Sequence, residues 1–150
     1  MLTLQQILNR FWPVIAHIRR KIFKMEKINV MLVDDEEEFV TTLSERIQMR
    51  NFSSSVAFTG EQALQIVDDQ IPDVMILDLK MPGIDGMEVI RRVKKAYPKV
   101  QVIILTGHGS EKDKKEALSL GAFGYIQKPV QIDELVRHII KAHKAGTKDI

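Results

Sequence analysis

At 150 residues the chain suits one domain, and a domain of this size buries roughly 70% of the surface its unfolded form exposes; with no Cys, thiolate sites for zinc or for iron and sulfur are excluded. The longest unbroken apolar run, Phe11 to Ala16, lies among Arg10, Arg19, Arg20 and Lys21, too short to span a bilayer, and its cations mostly follow it, unlike those of a secretory signal. The net charge of +2 is uneven, with six Lys or Arg against one Glu in residues 1–27 and sixteen against nineteen in the rest, so the mildly acidic remainder lacks a nucleic-acid footprint and no direct nucleic-acid binding is expected.

The first segment, residues 1–27, places Leu4, Leu8, Phe11, Ile15, Ile18, Ile22 and Met25 at steps of four and three, the spacing of a helical seam. Pro13 should kink or divide that helix, because it removes a backbone donor and clashes with the preceding turn. The first reading of the segment is a helix that pairs with its copy in a homodimer or docks on a partner protein. A basic amphipathic helix in contact with anionic membrane ranks behind it, beside an upstream extension with the working start at Met25.

From Ile28 onward, short runs rich in Val and Ile alternate with stretches of helical period, the pattern of βαβ units around a parallel sheet. The strands are expected at 28–34, 52–58, 74–78, 100–106 and 122–127. The helices are expected near 37–50, 60–70, 86–97, 111–120 and 132–145, the last with Ile132, Leu135, Val136, Ile139, Ile140 and His143 on one face. "VMIL" and "VIIL" read as strands covered on both faces, whereas the more polar run from Phe52 to Phe58 belongs nearer an edge. Gly121 and Gly146 stand where helix ends favour a left-handed residue. The order of the strands is not readable from periodicity.

Ligands of an open parallel sheet bind beyond the carboxyl ends of its strands. There the first strand supplies Asp34 and Asp35, the third Asp78 and the fourth Thr106, and the fifth is followed by Lys128 and Pro129. Carboxylates about 4 Å apart repel by on the order of 4 kcal/mol at an effective dielectric near 20. Lys128 can offset part of this and a divalent ion the rest, and clustered oxygens with room for water suit Mg²⁺ better than Zn²⁺. The set fits phosphoryl transfer, with an Asp as nucleophile, the cations on phosphoryl oxygens and a hydroxyl donating one hydrogen bond. In "MPGIDG", Pro82 fixes φ while Gly83 and Gly86 permit turns closed to other residues.

Taken together, "MLVDDEEEF", "VMILDLKMPGIDGMEVI", "VIILTGHGS" and "GAFGYIQKPV" resemble, in order and spacing, the receiver domain of bacterial two-component response regulators, over about Lys27 to Ala145. The resemblance implies an α/β, flavodoxin-like (βα)5 fold, a doubly wound parallel five-stranded sheet of order 2-1-3-4-5, here with an extra N-terminal amphipathic helical segment. It implies that Asp78 is the phosphoacceptor, served by a sensor histidine kinase or phosphotransfer protein. It further implies that Asp34, Asp35, Asp78 and the Lys80 backbone carbonyl hold Mg²⁺, that Lys128 binds the phosphate after a cis peptide to Pro129, and that Thr106 and Tyr125 form the switch. By the same resemblance, Lys80 and His108 stand at the two positions expected to tune phosphate lifetime.

Residues 28–146 are then the receiver, 1–27 a basic helical extension and 147–150 a tail, in a cytoplasmic protein. Its output is a phosphorylation-dependent surface from Ser110 to Ala145, read by a downstream protein target or output domain. It is a switch rather than an enzyme, catalysing only its own phosphorylation and dephosphorylation. The alternative is a constitutive protein-binding receiver that phosphorylation does not control. A haloacid-dehalogenase-type phosphatase needs a second Asp where Lys80 stands, and a flavin or nucleotide site needs a Gly- or Ser/Thr-rich loop where Asp34 to Glu38 stand.

Overall fold

A computed structural model describes residues 1–23 and 27–148, with the side chains of residues 20–23 left aside. Its elements are α1 (Leu4–Phe23), β1 (Asn29–Val33), α2 (Glu37–Gln48), β2 (Ser53–Ala57), α3 (Gly60–Asp69), β3 (Val74–Leu77), α4 (Gly86–Ala96), β4 (Gln101–Thr106), α5 (Glu111–Ser119), β5 (Gly124–Gln127) and α6 (Ile132–Thr147). The strands form one parallel sheet of order β2-β1-β3-β4-β5, with Val33 level with Ala57 and Leu77, and Ile104 with Leu77 and Tyr125. The order is the one the resemblance implied. The serine-rich β2 is an edge strand, as its polarity predicted, while every residue of β3 is buried.

Because successive side chains of a strand point to opposite faces, each central strand feeds two cores. Met31, Val33, Met75, Leu77, Val102 and Ile104 face α3, α4 and α5, where Val67, Val89, Ile90 and Ala117 meet them. Val30, Leu32, Val74, Ile76, Ile103 and Leu105 face α2 and α6, packing on Val40, Ile47, Leu135 and Ile139. Burying one such aliphatic side chain stabilises the fold by about 1.5–3 kcal/mol, so these layers hold the strand ends rigidly in place.

Of the helices that start at the sheet's carboxyl end, α3, α4 and α5 are capped by the side chain of the preceding residue, whereas α2 and α6 have no side-chain cap. Asp85 accepts from the Glu88 amide at 3.0 Å, and Ser110 and Asp113 form a reciprocal capping box. Gly83 takes φ +80° and Gly121 φ +104°, the left-handed conformation expected of them. Gly86 works differently: a Cβ there would lie 2.6 Å from the Asp78 carbonyl oxygen, so its value is close approach rather than turn geometry.

Three expectations need correction. Gly146 does not end a helix, since α6 continues to Thr147; a Cβ at Gly146 would sit 3.2–3.3 Å from Gln101 and the Lys99 carbonyl, so glycine serves helix-to-strand contact. Ile140 is exposed and Ala142 takes the buried place on α6, because the face that meets the sheet is narrower than the apolar stripe. The helix α1 is not divided at Pro13 but runs unbroken through it. Of the seam predicted for α1, the Ile22 side chain and all of Met25 lie outside the described residues.

Candidate functional site at the carboxyl end of the sheet

Strand parity sorts the rim residues. Asp34 and Asp78 extend β1 and β3 by one residue, their amides still donating to Ala57 O at 3.1 Å and Val33 O at 2.9 Å. Following Val33 and Leu77, both carboxylates therefore turn to the α2/α6 face, where they line one small crevice with Phe39 and Leu105. Asp34, Asp35 and Asp78 each bring a carboxylate oxygen within 4.8 Å of the others. Asp34 and Asp78 are buried and Asp35 is exposed.

Lys128 follows Ile126 on the same face. Its amide donates to Thr106 O at 2.9 Å, and the Lys128–Pro129 peptide is cis. Its Nζ lies 2.7 Å from Asp34 Oδ2 and 3.5 Å from Glu36 Oε1, and 4.3 Å over the Phe39 ring centroid. Burial pulls the ammonium pKa down, but the Asp34 hydrogen bond and the charges of Asp34, Asp78 and Glu36 outweigh it, leaving Lys128 above its ordinary value. Burial raises the Asp34 carboxyl, opposed by Lys128 and by the Glu36 amide, which donates to Asp34 Oδ1 at 2.9 Å. Lys128 thus stays charged across the neutral range and balances one of three crowded carboxylates.

Thr106 and Tyr125 follow the opposite parity, toward α5. Thr106 is fully buried and Tyr125 partly so, and among the described residues neither hydroxyl has a hydrogen-bond partner. The Tyr125 ring lies inward beneath the loop before α5. A Cβ built on Gly109 would collide with Tyr125 Oη and fall 2.9 Å from Thr106 Cγ2, so the ring occupies space that only glycine leaves open. Burial, with the charges of Asp113, Glu111 and Asp78, raises the Tyr125 phenol.

Lys80 and His108 are exposed on the loops after β3 and β4. Lys80 lines a cleft with Met81, Pro82, Asp85, Met87 and Asp113, and its charge helps lower the Asp113 carboxyl, chiefly held down by hydrogen bonds from Ser110. Three contributors escaped the sequence reading. Glu36 and Phe39 were seen only as part of an acidic run and a helix start, although an aromatic one turn into a helix after paired Asp is a usable signal. Gly109 carried no signal beyond being glycine in a loop. As for a metal, the all-oxygen donor set, with one carboxylate open to solvent, fits a hard divalent cation that keeps part of its water.

The response regulator receiver domain model matches residues 30–140. The chain belongs to this family. Its receiver is 40% identical over 110 residues to the transcriptional regulatory protein CpxR of Escherichia coli, an alignment covering 73% of this chain and 47% of that one. It is 35% identical over 114 residues to an NtrX-like response regulator of Rickettsia typhi, covering 75% and 24%. Among solved structures it superposes on a receiver domain from Clostridium thermocellum with a TM-score of 0.78 at 31% identity, over 81% of this chain and 98% of that one. The chain thus spans about half the length, or a quarter, of these curated relatives.

The fold is accordingly that of signalling receivers of two-component systems. The expectation of no nucleic-acid partner needs correction at the level of the family: CpxR is by name a transcriptional regulator, and a charge count over the matched segment says nothing about the rest of such a protein. Among the described residues no helix is long and apolar enough to cross a membrane.

Proposed function

We propose that this receiver accepts a phosphoryl group on Asp78 from a phosphohistidine of a sensor kinase or phosphotransfer protein, and that the acyl phosphate changes which partner the receiver binds. The observation that carries the reading is the joint placement of Asp78, Asp34 and Asp35 within 4.8 Å beside Lys128, itself 2.7 Å from Asp34. A carboxylate oxygen of Asp78 attacks phosphorus, and an O–P bond forms as the N–P bond breaks. The leaving imidazole keeps the electron pair and takes up a proton. Asp34, Asp35, Asp78 and the Lys80 carbonyl would hold Mg²⁺, which when bound neutralises phosphoryl oxygens and the crowded acids.

Lys128 exchanges its Asp34 contact for a phosphoryl oxygen. Thr106 donates its hydroxyl to another, and the Tyr125 ring, which already lies inward beneath the loop before α5, secures that position as the other half of the switch. The surface from Ser110 to Ala145 carries the change outward, to a separate target or, in a longer chain, to an output domain such as the transcriptional one that the name CpxR favours. A cytoplasmic location follows from the need to meet a kinase. Lys80 and His108 set how long the phosphate survives: Lys80→Ala and His108→Ala should each change the decay rate while leaving phosphorylation intact, and unaltered decay in both would remove that role.

Incubation with acetyl phosphate and Mg²⁺ followed by intact mass should show one added phosphoryl group, absent in Asp78→Asn and after chelation of the metal. An unchanged mass in the wild-type chain would refute the reading and favour a constitutive binding module.

A further inference from the structure

The receiver reading leaves α1 without a role. Over its twenty residues, some 30 Å of helix, Leu4, Ile7, Leu8, Phe11, Trp12, Val14, Ile15 and Ile18 are all exposed. At about 100° per residue these eight fall within an arc of roughly 160°, interrupted at its C-terminal end by Arg19. The opposite arc carries Gln5, Gln6, Asn9, Arg10 and His17. From Arg10 to Lys27 the segment holds six cations and a single acid, Glu26, whereas residues 28–150 are net negative.

Two features decide what covers this face. A two-stranded coil buries a narrow seam of two positions in seven, which Leu4, Leu8, Phe11, Ile15 and Ile18 supply, but Ile7, Trp12 and Val14 widen the face well beyond it. Paired copies would also bring two strongly cationic segments together with one acid apiece to answer them, and like charges oppose that contact. An anionic lipid surface answers both features, since it accepts a broad apolar arc at the acyl boundary and takes the cations among its headgroups. The aromatic pair Phe11 and Trp12 suits that depth. The helix is not apolar enough to span, so it would lie in the plane.

We propose that α1 is a membrane-surface anchor that seats its apolar face in the headgroup region of an anionic bilayer and holds the receiver at that surface. The width of the arc and the charge of the segment reverse the ranking that spacing alone suggested, in which a protein partner came first.

Trp12 is the sole tryptophan of the chain and reports directly on its own burial. The full chain, mixed with phosphatidylcholine vesicles containing roughly a third phosphatidylglycerol, should co-sediment with them and shift its tryptophan emission to shorter wavelength. Binding should fall at least tenfold with neutral vesicles or with salt raised to about 1 M, where screening is complete within a few ångströms. The variant Phe11→Glu/Ile15→Glu alters only exposed positions, so its receiver should fold normally while both signals disappear. Absence of shift and sedimentation with anionic vesicles would overturn the anchor. So would a dimeric mass in lipid-free solution that the same variant reduces to a monomer, which would assign the face to a second copy.

Discussion

The two halves of the receiver's rim are built on opposite electrostatic terms. On the α2/α6 face, buried charge is answered: Asp34 meets Lys128 at 2.7 Å and the Glu36 amide at 2.9 Å, and Lys128 rests on Phe39. On the α5 face, buried polarity is left open, since the Thr106 and Tyr125 hydroxyls have no partner among the described residues. A buried group without a hydrogen bond costs about 1–3 kcal/mol. The first half therefore holds a site ready for a charged group, and the second withholds an interaction that an arriving acceptor can complete. The same pleat separates them, because Asp34, Asp78 and Lys128 share one parity and Thr106 and Tyr125 the other.

The largest effect should come from breaking the answered half. Lys128→Ala leaves three carboxylates without their cation, and removing one partner of a largely buried pair should cost about 2 kcal/mol, below the full buried-pair penalty because water still reaches the ammonium. Urea unfolding should show a lower midpoint with an unchanged slope. The raised Lys128 pKa fixes the pH dependence of the loss. The lysine contributes fully below its ordinary 10.5, so the gap between wild type and variant should be steady through neutral pH and close as pH rises past that value, or as acid protonates the Asp34 carboxyl that Lys128 helps to hold down.

Gly109→Ala tests the open half through its packing. With Tyr125 Oη in the way of the new Cβ, the ring must swing out or the loop must lift, at a cost of about 1–2 kcal/mol. In a Tyr125→Ala background the same change should cost clearly less, the remaining close approach being Thr106 Cγ2 at 2.9 Å. A double-mutant cycle by urea unfolding measures the coupling, and equal costs in both backgrounds would mean that the ring does not depend on Gly109.

Much of this arrangement was legible because it rests on backbone periodicity. Four apolar residues ending in Asp78, set in a regular alternation of short apolar runs and helical stretches, read as a covered strand delivering a carboxylate to the rim, and the placement of Asp34, Asp35 and Lys128 follows from the same alternation. Strand order came from resemblance, since periodicity says nothing about which strands are neighbours. What stayed hidden depends on contacts between distant side chains. The Gly109–Tyr125 contact joins residues sixteen apart through one rotamer, and Phe39 meets Lys128 across 89 positions. Gly146 was misread because a glycine chosen for proximity to Gln101 and one chosen for a left-handed turn look alike in sequence.

Thr106→Val should move stability in the opposite direction to Lys128→Ala. Valine keeps the branched shape and removes a hydroxyl that nothing in the described structure satisfies, so the variant should be unchanged or more stable by up to about 1 kcal/mol. A thermal melt of the unphosphorylated receiver checks the sign. Destabilisation by more than about 1 kcal/mol would show that the hydroxyl is engaged and the comparison mistaken.

The smallest effect separates charge from ring on the answered side. Phe39→Leu keeps a smaller apolar side chain at the start of α2 but removes the π face under the Lys128 ammonium, an interaction worth about 0.5–1 kcal/mol where water still reaches it. Phe39→Tyr retains that face, so it should keep wild-type stability while Phe39→Leu loses a few tenths to one kcal/mol by urea unfolding. The loss should vanish in a Lys128→Met background, where the cation is gone but the aliphatic stem remains. If Phe39→Leu costs the same there, Phe39 acts by packing alone, and Lys128 is held by Asp34 and Glu36 without help from the ring.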